Sequence, residues 1–114
     1  MPTNWRNEVQ LELSTARKAA GEQMAGRSRV AARRAAGIAV SEFNRLTAFT
    51  QSSNNYYALL LAFSNLPGIP EDIRRIALRL CQRVDEQYNL PEGSDLIKDA
   101  EDLMNFVGEY TSVP

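Results

Sequence analysis

Apolar residues recur every three or four positions through most of the chain, which is the period of an α-helix with one buried face. The first stripe consists of Trp5, Val9, Leu13, Ala16, Ala20 and Met24. Later stripes consist of Ala31, Ala35, Ala39, Phe43 and Leu46, of Ile73, Ile76, Ala77, Leu80, Val84 and Tyr88, and of Leu96, Ala100, Leu103, Val107 and Tyr110. No Val-, Ile- or Thr-rich alternation persists long enough to indicate a strand. The pattern therefore predicts an all-α protein.

Glycine, proline and polar capping residues divide this pattern into separate helices. Gly21 and Gly26 bracket a turn, QSSNN at 51–55 is a polar break, and LPGIP at 66–70 ends one helix and begins another. The predicted helices span about residues 4–24, 27–50, 55–66, 70–89 and 95–110. Helices of this length joined by brief turns are typical of an antiparallel bundle of four to five helices. We therefore predict one helical domain over residues 1–114.

Two of these helices have unusual compositions. The middle of the second helix is built from the small residues Ala31, Ala32, Ala35, Ala36, Gly37 and Ala39. Because glycine inside a helix costs about 1 kcal/mol relative to alanine, Gly37 predicts the close approach of a neighbouring element. The third helix contains YYALLLAF at 56–63, which is apolar on nearly every face and must be covered on most sides. This run is too short for a membrane span, which needs roughly 20 apolar residues.

The net charge of −1 conceals an asymmetry between the two halves of the chain. Residues 1–50 carry a net charge of +4, and residues 51–114 carry a net charge of −5. The most concentrated positive charge is an arc on the second helix, formed by Arg27, Arg29, Arg33 and Arg34. The planar guanidinium group can bind both carboxylates and phosphates, so the arc has two interpretations.

In the first interpretation, the arc forms ion pairs within the molecule or across a subunit interface. The candidate acidic partners are Glu22, Asp85, Glu86, Asp99 and Asp102. In the second, it binds nucleic acid or another polyanion. Stacking on single-stranded bases needs aromatic residues among the cations, and none lies between Arg27 and Arg34. We therefore expect ion pairing and keep nucleic acid as the alternative.

The chemistry that the chain can offer is limited, because it contains no histidine and a single cysteine. These counts exclude histidine-based catalysis, a histidine-containing zinc site and a Cys-x-x-Cys redox pair. Asp95, Asp99 and Asp102 can line one face of the last helix and could contribute to a magnesium site, but we expect them to form a solvated helix face. We expect Cys81 to be an inert packed thiol. The sequence thus predicts no enzyme, no metal and no cofactor.

The adjacent tyrosines Tyr56 and Tyr57 begin the apolar helix. Side chains of successive helical residues point about 100° apart, so one ring can be buried while the other borders a surface. Core packing is the expectation for this pair. A dimer contact is the alternative, which makes both residues candidates for an interface.

The segments NNYYALLLAFSNL at 54–66 and GRSRVAARRAAGIAV at 26–40 cover about a quarter of the chain. The first is similar to the YYA-containing helix of HEPN domains, and the second resembles a small-residue, arginine-flanked helix of some HEPN-like proteins. The resemblance implies an often dimeric helical bundle that binds nucleotide or RNA. Active members cleave RNA with an arginine that is followed a few residues later by histidine. Arg6 and Asn7 resemble the start of that motif, but no histidine follows, so cleavage is not implied.

Together these observations predict a non-enzymatic helical interaction or assembly module. The expected partner is a second copy of the chain or another protein, and the alternative is HEPN-like RNA or nucleotide binding through the arginine arc. The N-terminal residues contain no apolar segment typical of a secretion signal, and a lone cysteine suits a reducing compartment. We therefore expect a cytoplasmic protein without a membrane span.

Overall fold

A computed structural model of the protein describes residues 4–47, 55–81 and 95–111. These residues form five helices and no strand. The helices are α1 (Trp5–Gly21), α2 (Ala25–Leu46), α3 (Tyr56–Ser64), α4 (Glu71–Cys81) and α5 (Leu96–Thr111). The predicted all-α bundle is therefore confirmed. Parts of the predicted second and fourth helices, at 48–50 and 82–89, lie outside the described residues.

The turn between α1 and α2 differs from the prediction. Helix α1 ends at Gly21 instead of residue 24, and α2 begins at Ala25, so that Gly26 lies inside the helix. The chain reverses at Gln23, which has a φ of 61° in the left-handed region. The positions of the glycines did not predict this turn, because the residue with the left-handed conformation is a glutamine.

Side-chain caps and prolines fix the other helix ends. The Oδ1 atom of Asn55 accepts hydrogen bonds from the backbone N–H groups of Tyr57 at 3.0 Å and Ala58 at 3.3 Å, which begins α3. After α3, Gly68 has a φ of 86°, a conformation that glycine adopts without steric cost. Pro70 then directly precedes the first residue of α4, as the sequence predicts.

Helix α2 is central and packs against all four other helices. Helix α1 runs antiparallel to it, and the buried Ser28 hydroxyl donates to the carbonyl oxygen of Ala16 at 2.9 Å across this pair. Helix α3 runs in the same direction as α2, because Tyr56 lies against Gly37 and the Phe63 ring lies 5.2 Å from the Phe43 ring.

Helices α4 and α5 close the bundle against α2. They are antiparallel, and Arg79 near the end of α4 bonds to Asp99 in the first turn of α5. At the opposite end, the Arg6 Nη2 atom of α1 donates to the carbonyl oxygen of Gly108 in α5 at 3.3 Å. The described bundle has a radius of gyration of 13.7 Å.

The core is alanine-rich along α2 and aromatic at one end. The predicted face of α2 is buried except for Leu46, which is 40% exposed at the end of the helix. The predicted stripe of α1 differs from the buried face at its end, where Ala19 is buried instead of Ala20. Met24 is exposed because the helix has already ended. In α5, Tyr110 is 48% exposed because it lies at the edge of the aromatic cluster. This cluster consists of Phe43, Phe63, Phe106 and Tyr110.

Candidate functional site

The four arginines of the predicted arc do not form one surface. Arg27 and Arg34 are exposed, lie seven residues apart on the same side of α2, and form no ion pair with any described carboxylate. Arg33 is partly buried, and its Nε donates to the carbonyl oxygen of Leu80 in α4 at 2.8 Å. Arg29 is also partly buried and lines a cavity beside Asp95. Two of the four arginines therefore remain on an open face.

One of the candidate acidic partners of the arc, Asp99, is engaged elsewhere. Asp99 is 6% exposed and accepts two hydrogen bonds from Arg79, one from Nε and one from Nη2, each of 2.9 Å. This hydrogen bond raises the pKa of Arg79. The expected pairing of Asp99 with the arginine arc is therefore wrong, because α5 presents this carboxylate to α4. The paired side chains join two helices and have a structural role.

Two further acids near the start of α5, Asp95 and Asp102, bond to Lys98 of the same helix. Asp95 accepts a hydrogen bond from the backbone N–H of Lys98 at 3.1 Å, and Asp102 pairs with the Lys98 ammonium group at 3.2 Å. Within the molecule, Asp102 therefore pairs with Lys98 and not with the arc. No group of three potential metal ligands occurs within residues 4–47, 55–81 and 95–111.

Of the other three acidic candidates, only Glu22 lies among the described residues. Glu22 lies in the turn after α1 and forms no ion pair with a described residue. Asp85 and Glu86 lie outside the described residues. Pairing of the arc across a subunit interface stays a prediction.

The open side of α2 forms the floor of a cleft between α1 and α3, with a volume of about 790 Å³. We name it the α2 cleft and define it by its lining residues, Trp5, Glu8, Ile38, Ser41, Glu42, Arg45 and Tyr56. Ile38 is partly buried on the floor, and Arg34 lies one helical turn before it. The cleft is therefore continuous with the exposed arginines of α2.

Two aromatic side chains from distant parts of the sequence border this cleft. Trp5 begins α1 and is partly buried, and the Arg6 guanidinium lies 5.4 Å from the centre of its ring. Tyr56 begins α3 and rests on Gly37, where an added Cβ would lie 2.0 Å from the Tyr56 Cδ1 atom. The close approach predicted at Gly37 is therefore confirmed, and it places one aromatic ring at the cleft.

Charges in the α2 cleft are of both signs. Glu8 is exposed and forms no ion pair with a described residue. Glu42 pairs with Arg45 on the next turn, and this hydrogen bond raises the pKa of Arg45. The cleft therefore contains an exposed carboxylate that forms no ion pair with a described residue, together with the Glu42–Arg45 pair.

The second tyrosine has a different environment from the first. Tyr57 is partly buried against the core, and its carbonyl oxygen accepts a hydrogen bond from the Cys81 thiol at 3.7 Å. Cys81 is buried, and this burial raises the pKa of its thiol more than the nearby Arg33 charge lowers it. The structure therefore packs Cys81 as expected and leaves Tyr56, but not Tyr57, at the cleft.

A further groove of about 620 Å³ lies at the aromatic end of the bundle. Its described lining residues are Phe43, Thr47, Leu66, Pro67, Gly68, Ile69, Pro70, Phe106 and Tyr110. None of these side chains is charged, so the groove offers no ionic contact to a ligand. The α2 cleft is therefore the better candidate site.

Sequence reasoning identified Tyr56, Arg27 and Arg34 but missed Trp5 and Glu8 as parts of the same surface. The antiparallel register of α1 on α2, which brings residues 5 and 8 next to Ile38, was the missing information. No protein-family model, curated protein or solved structure matches this chain significantly. None of the helices in the described ranges has the length and apolar character needed to cross a membrane.

Proposed function

We propose that this protein is a non-enzymatic helical module that binds another protein chain through the α2 cleft. The observation that carries this proposal is the convergence of Trp5, Tyr56 and Arg45 around an open cleft. Tryptophan, tyrosine and arginine are the residues that contribute most often to the binding energy of protein interfaces. Their rings and guanidinium groups provide both apolar contact and directed hydrogen bonds.

The mixture of charges at the cleft favours a protein partner. Exposed Glu8 and paired Glu42 line the cleft beside Arg45, so a phosphate backbone would meet carboxylates as well as cations. Protein surfaces carry both signs of charge and can complement such a face. The partial burial of Arg33 and its bond to the Leu80 carbonyl group also leave fewer cations for phosphates.

Site-specific photocrosslinking tests the proposal. Benzoylphenylalanine in place of Ser41, inside the cleft, should give a covalent adduct with a protein chain in cells that express this protein. The same probe in place of Ser14, which is exposed on α1 outside the cleft, is the matched control and should not give this adduct. Adding Trp5→Ala to the Ser41 probe should abolish the adduct. An adduct that persists in the Trp5→Ala variant, or forms equally from position 14, would contradict the proposal.

A second candidate function is nucleic-acid binding through Arg27 and Arg34, as the HEPN resemblance implies. The observation that favours it is the exposure of both guanidinium groups without an ion pair to a described carboxylate. Fluorescence anisotropy of labelled single-stranded RNA at about 50 mM salt is the test, because phosphate contacts are strongest at low salt. Binding that weakens in Arg27→Ala/Arg34→Ala, with a salt slope reduced by about 2, would support it. The absence of binding would exclude it.

A further inference from the structure

We infer that the partner of the α2 cleft is a second copy of this chain, bound about a two-fold axis that joins Arg34 of each copy to Glu8 of the other. This inference rests on the proposed function, because it identifies the partner of the same site. It depends on the charges of the cleft and on the register of α1 against α2.

The exposed charges in and beside the cleft lie at different levels along α2, with Arg34 one helical turn before Ile38 and Glu8 in the cleft with Ile38. Arg27 and Arg34 lie in the N-terminal half of α2, whereas Glu8 lies beside Ile38, farther along the helix. Both Arg34 and Glu8 are exposed, and neither forms an ion pair with a described residue. Each copy therefore presents, on the same face, exposed arginines and an exposed carboxylate that form no ion pair with a described residue.

Two-fold symmetry makes such a face complementary to itself. In an isologous interface, a residue that contacts a second residue on the partner is matched by the reverse contact. When two α2 helices cross in opposite directions, the cationic half of each lies over the Glu8 end of the other. This arrangement forms two ion pairs, one on each side of an axis that passes between the levels of Arg34 and Ile38.

Apolar and electrostatic features of the whole molecule fit this partner. Trp5, Tyr56 and Ile38 of both copies would surround the axis and exclude water from the ion pairs. The formal net charge of −1 leaves almost no overall repulsion between two copies. A polyanion, in contrast, would place its charge against Glu8.

Charge reversal combined with sedimentation velocity tests this dimer. The wild-type chain should sediment as a dimer at tens of micromolar. Arg34→Glu and Glu8→Arg should each sediment as monomers, because each places like charges at both contacts. An equimolar mixture of these two variants should form a heterodimer, since opposite charges then meet at both contacts. The double variant Arg34→Glu/Glu8→Arg should also recover the dimer. Lys18→Glu is the matched control, because Lys18 is exposed on α1 and does not line the cleft, and it should leave the dimer intact.

The outcomes separate this inference from the proposed function. A monomeric wild-type chain, or a dimer that persists in both single variants, overturns the inference. Recovery of the dimer only in the mixture and the double variant supports it and cannot result from misfolding, because the same substitutions are present. If the wild-type chain is monomeric but the Ser41 probe captures a different protein in a manner that depends on Trp5, the proposed function stands and self-association falls. If the chain is monomeric and no adduct forms, both fall.

Discussion

At the scale of single residues, the contact between Gly37 and Tyr56 sets the distance between α2 and α3. A Cβ at position 37 would lie 2.0, 2.6 and 2.9 Å from the Cδ1, Cγ and Cβ atoms of Tyr56. The Tyr56 Cβ atom is attached to the backbone, so a rotation of the ring alone cannot relieve all three contacts. Helix α3 as a whole would have to move away from α2.

We expect Gly37→Ala to lower the free energy of unfolding by about 1 to 2 kcal/mol, because overpacking outweighs the gain of about 1 kcal/mol in helix propensity. Urea denaturation measures this change. Gly21→Ala is the control, since no atom lies within 4 Å of the added Cβ, and it should be neutral or stabilising. A stabilising Gly37→Ala variant would show that the close contact is absent.

The second prediction at this scale concerns Cys81, whose pKa is raised chiefly by burial. Because burial raises the thiol pKa and blocks access of the reagent, the folded protein should react with thiol reagents at pH 8 more slowly than the denatured chain. The folded thiol keeps its proton to higher pH than the unfolded thiol. Its contribution to stability is therefore fully present below the unfolded pKa and is lost as the pH rises through the folded pKa.

Two measurements check this behaviour of Cys81. The rate of labelling with a disulfide reagent, with and without denaturant, gives the accessibility of the thiolate. Urea denaturation between pH 7 and 10 should show a fall in stability at the alkaline end that is smaller in Cys81→Ala. Equal labelling rates in the folded and denatured protein would be inconsistent with the buried thiol.

The role of a residue was predictable from sequence where its conformational penalty had to be offset by a contact. Gly37 in the middle of a helix indicated a close neighbour because its conformational penalty needs compensation. The identity of that neighbour, Tyr56, depends on how α3 packs and was not predictable. Trp5 was recognised only as a core residue, since its place at the cleft is set by the register of two helices.

At the scale of helices, the contact between Arg79 of α4 and Asp99 of α5 fixes their relative positions. We expect Arg79→Met to lower the free energy of unfolding by about 1.5 to 3 kcal/mol, because it leaves a buried carboxylate without its hydrogen-bond donors. Thermal and urea denaturation measure the loss. A double variant, Arg79→Met/Asp99→Leu, should recover part of it because no buried charge then remains.

The same helix provides the matched control. Arg75 lies one turn from Glu71, and their exposed side chains are 3.5 Å apart. Arg75→Met should cost no more than about 0.5 kcal/mol, since exposed ion pairs within a helix contribute little. Similar effects of the two substitutions would show that the Asp99 carboxylate is not desolvated in the folded protein.

The periodicity of apolar residues predicted which segments are helical and which of their faces are buried. It did not predict which helices pack against each other. The Glu71–Arg75 pair was predictable because both residues lie on one helix at a spacing of four. The Arg79–Asp99 pair joins two helices across residues 82–94, and no local spacing encodes it. For the same reason, the sequence indicated that the arginine arc is one surface, although Arg33 donates a hydrogen bond to the Leu80 carbonyl oxygen of α4.

At the scale of the whole molecule, Phe43 joins three helices. Its ring lies 5.2 Å from Phe63 of α3 and 5.0 Å from Tyr110 of α5, measured between ring centres. We expect Phe43→Ala to lower the free energy of unfolding by about 3 to 5 kcal/mol, a large part of the stability of a small domain. Leu11→Ala is the control, because Leu11 is 70% exposed, and it should change stability by no more than about 0.5 kcal/mol.

Calorimetry distinguishes the two variants directly. The melting temperature of Phe43→Ala should fall by tens of degrees or the variant should not fold, whereas Leu11→Ala should melt with the wild-type protein. Phe43→Leu keeps most of the apolar volume and should lie between them. A small effect of Phe43→Ala would mean that α3 and α5 do not share this contact.

The central position of α2 also determines the order in which the chain can assemble. Three residues separate α1 from α2, so closing this hairpin costs little conformational entropy. Helices α5 and α2 are far apart in the sequence, so their contact closes a long loop. The docking of α5 therefore costs more conformational entropy than the α1–α2 hairpin. We expect the alanine-lined pair α1–α2 to form first and the remaining helices to collapse onto it.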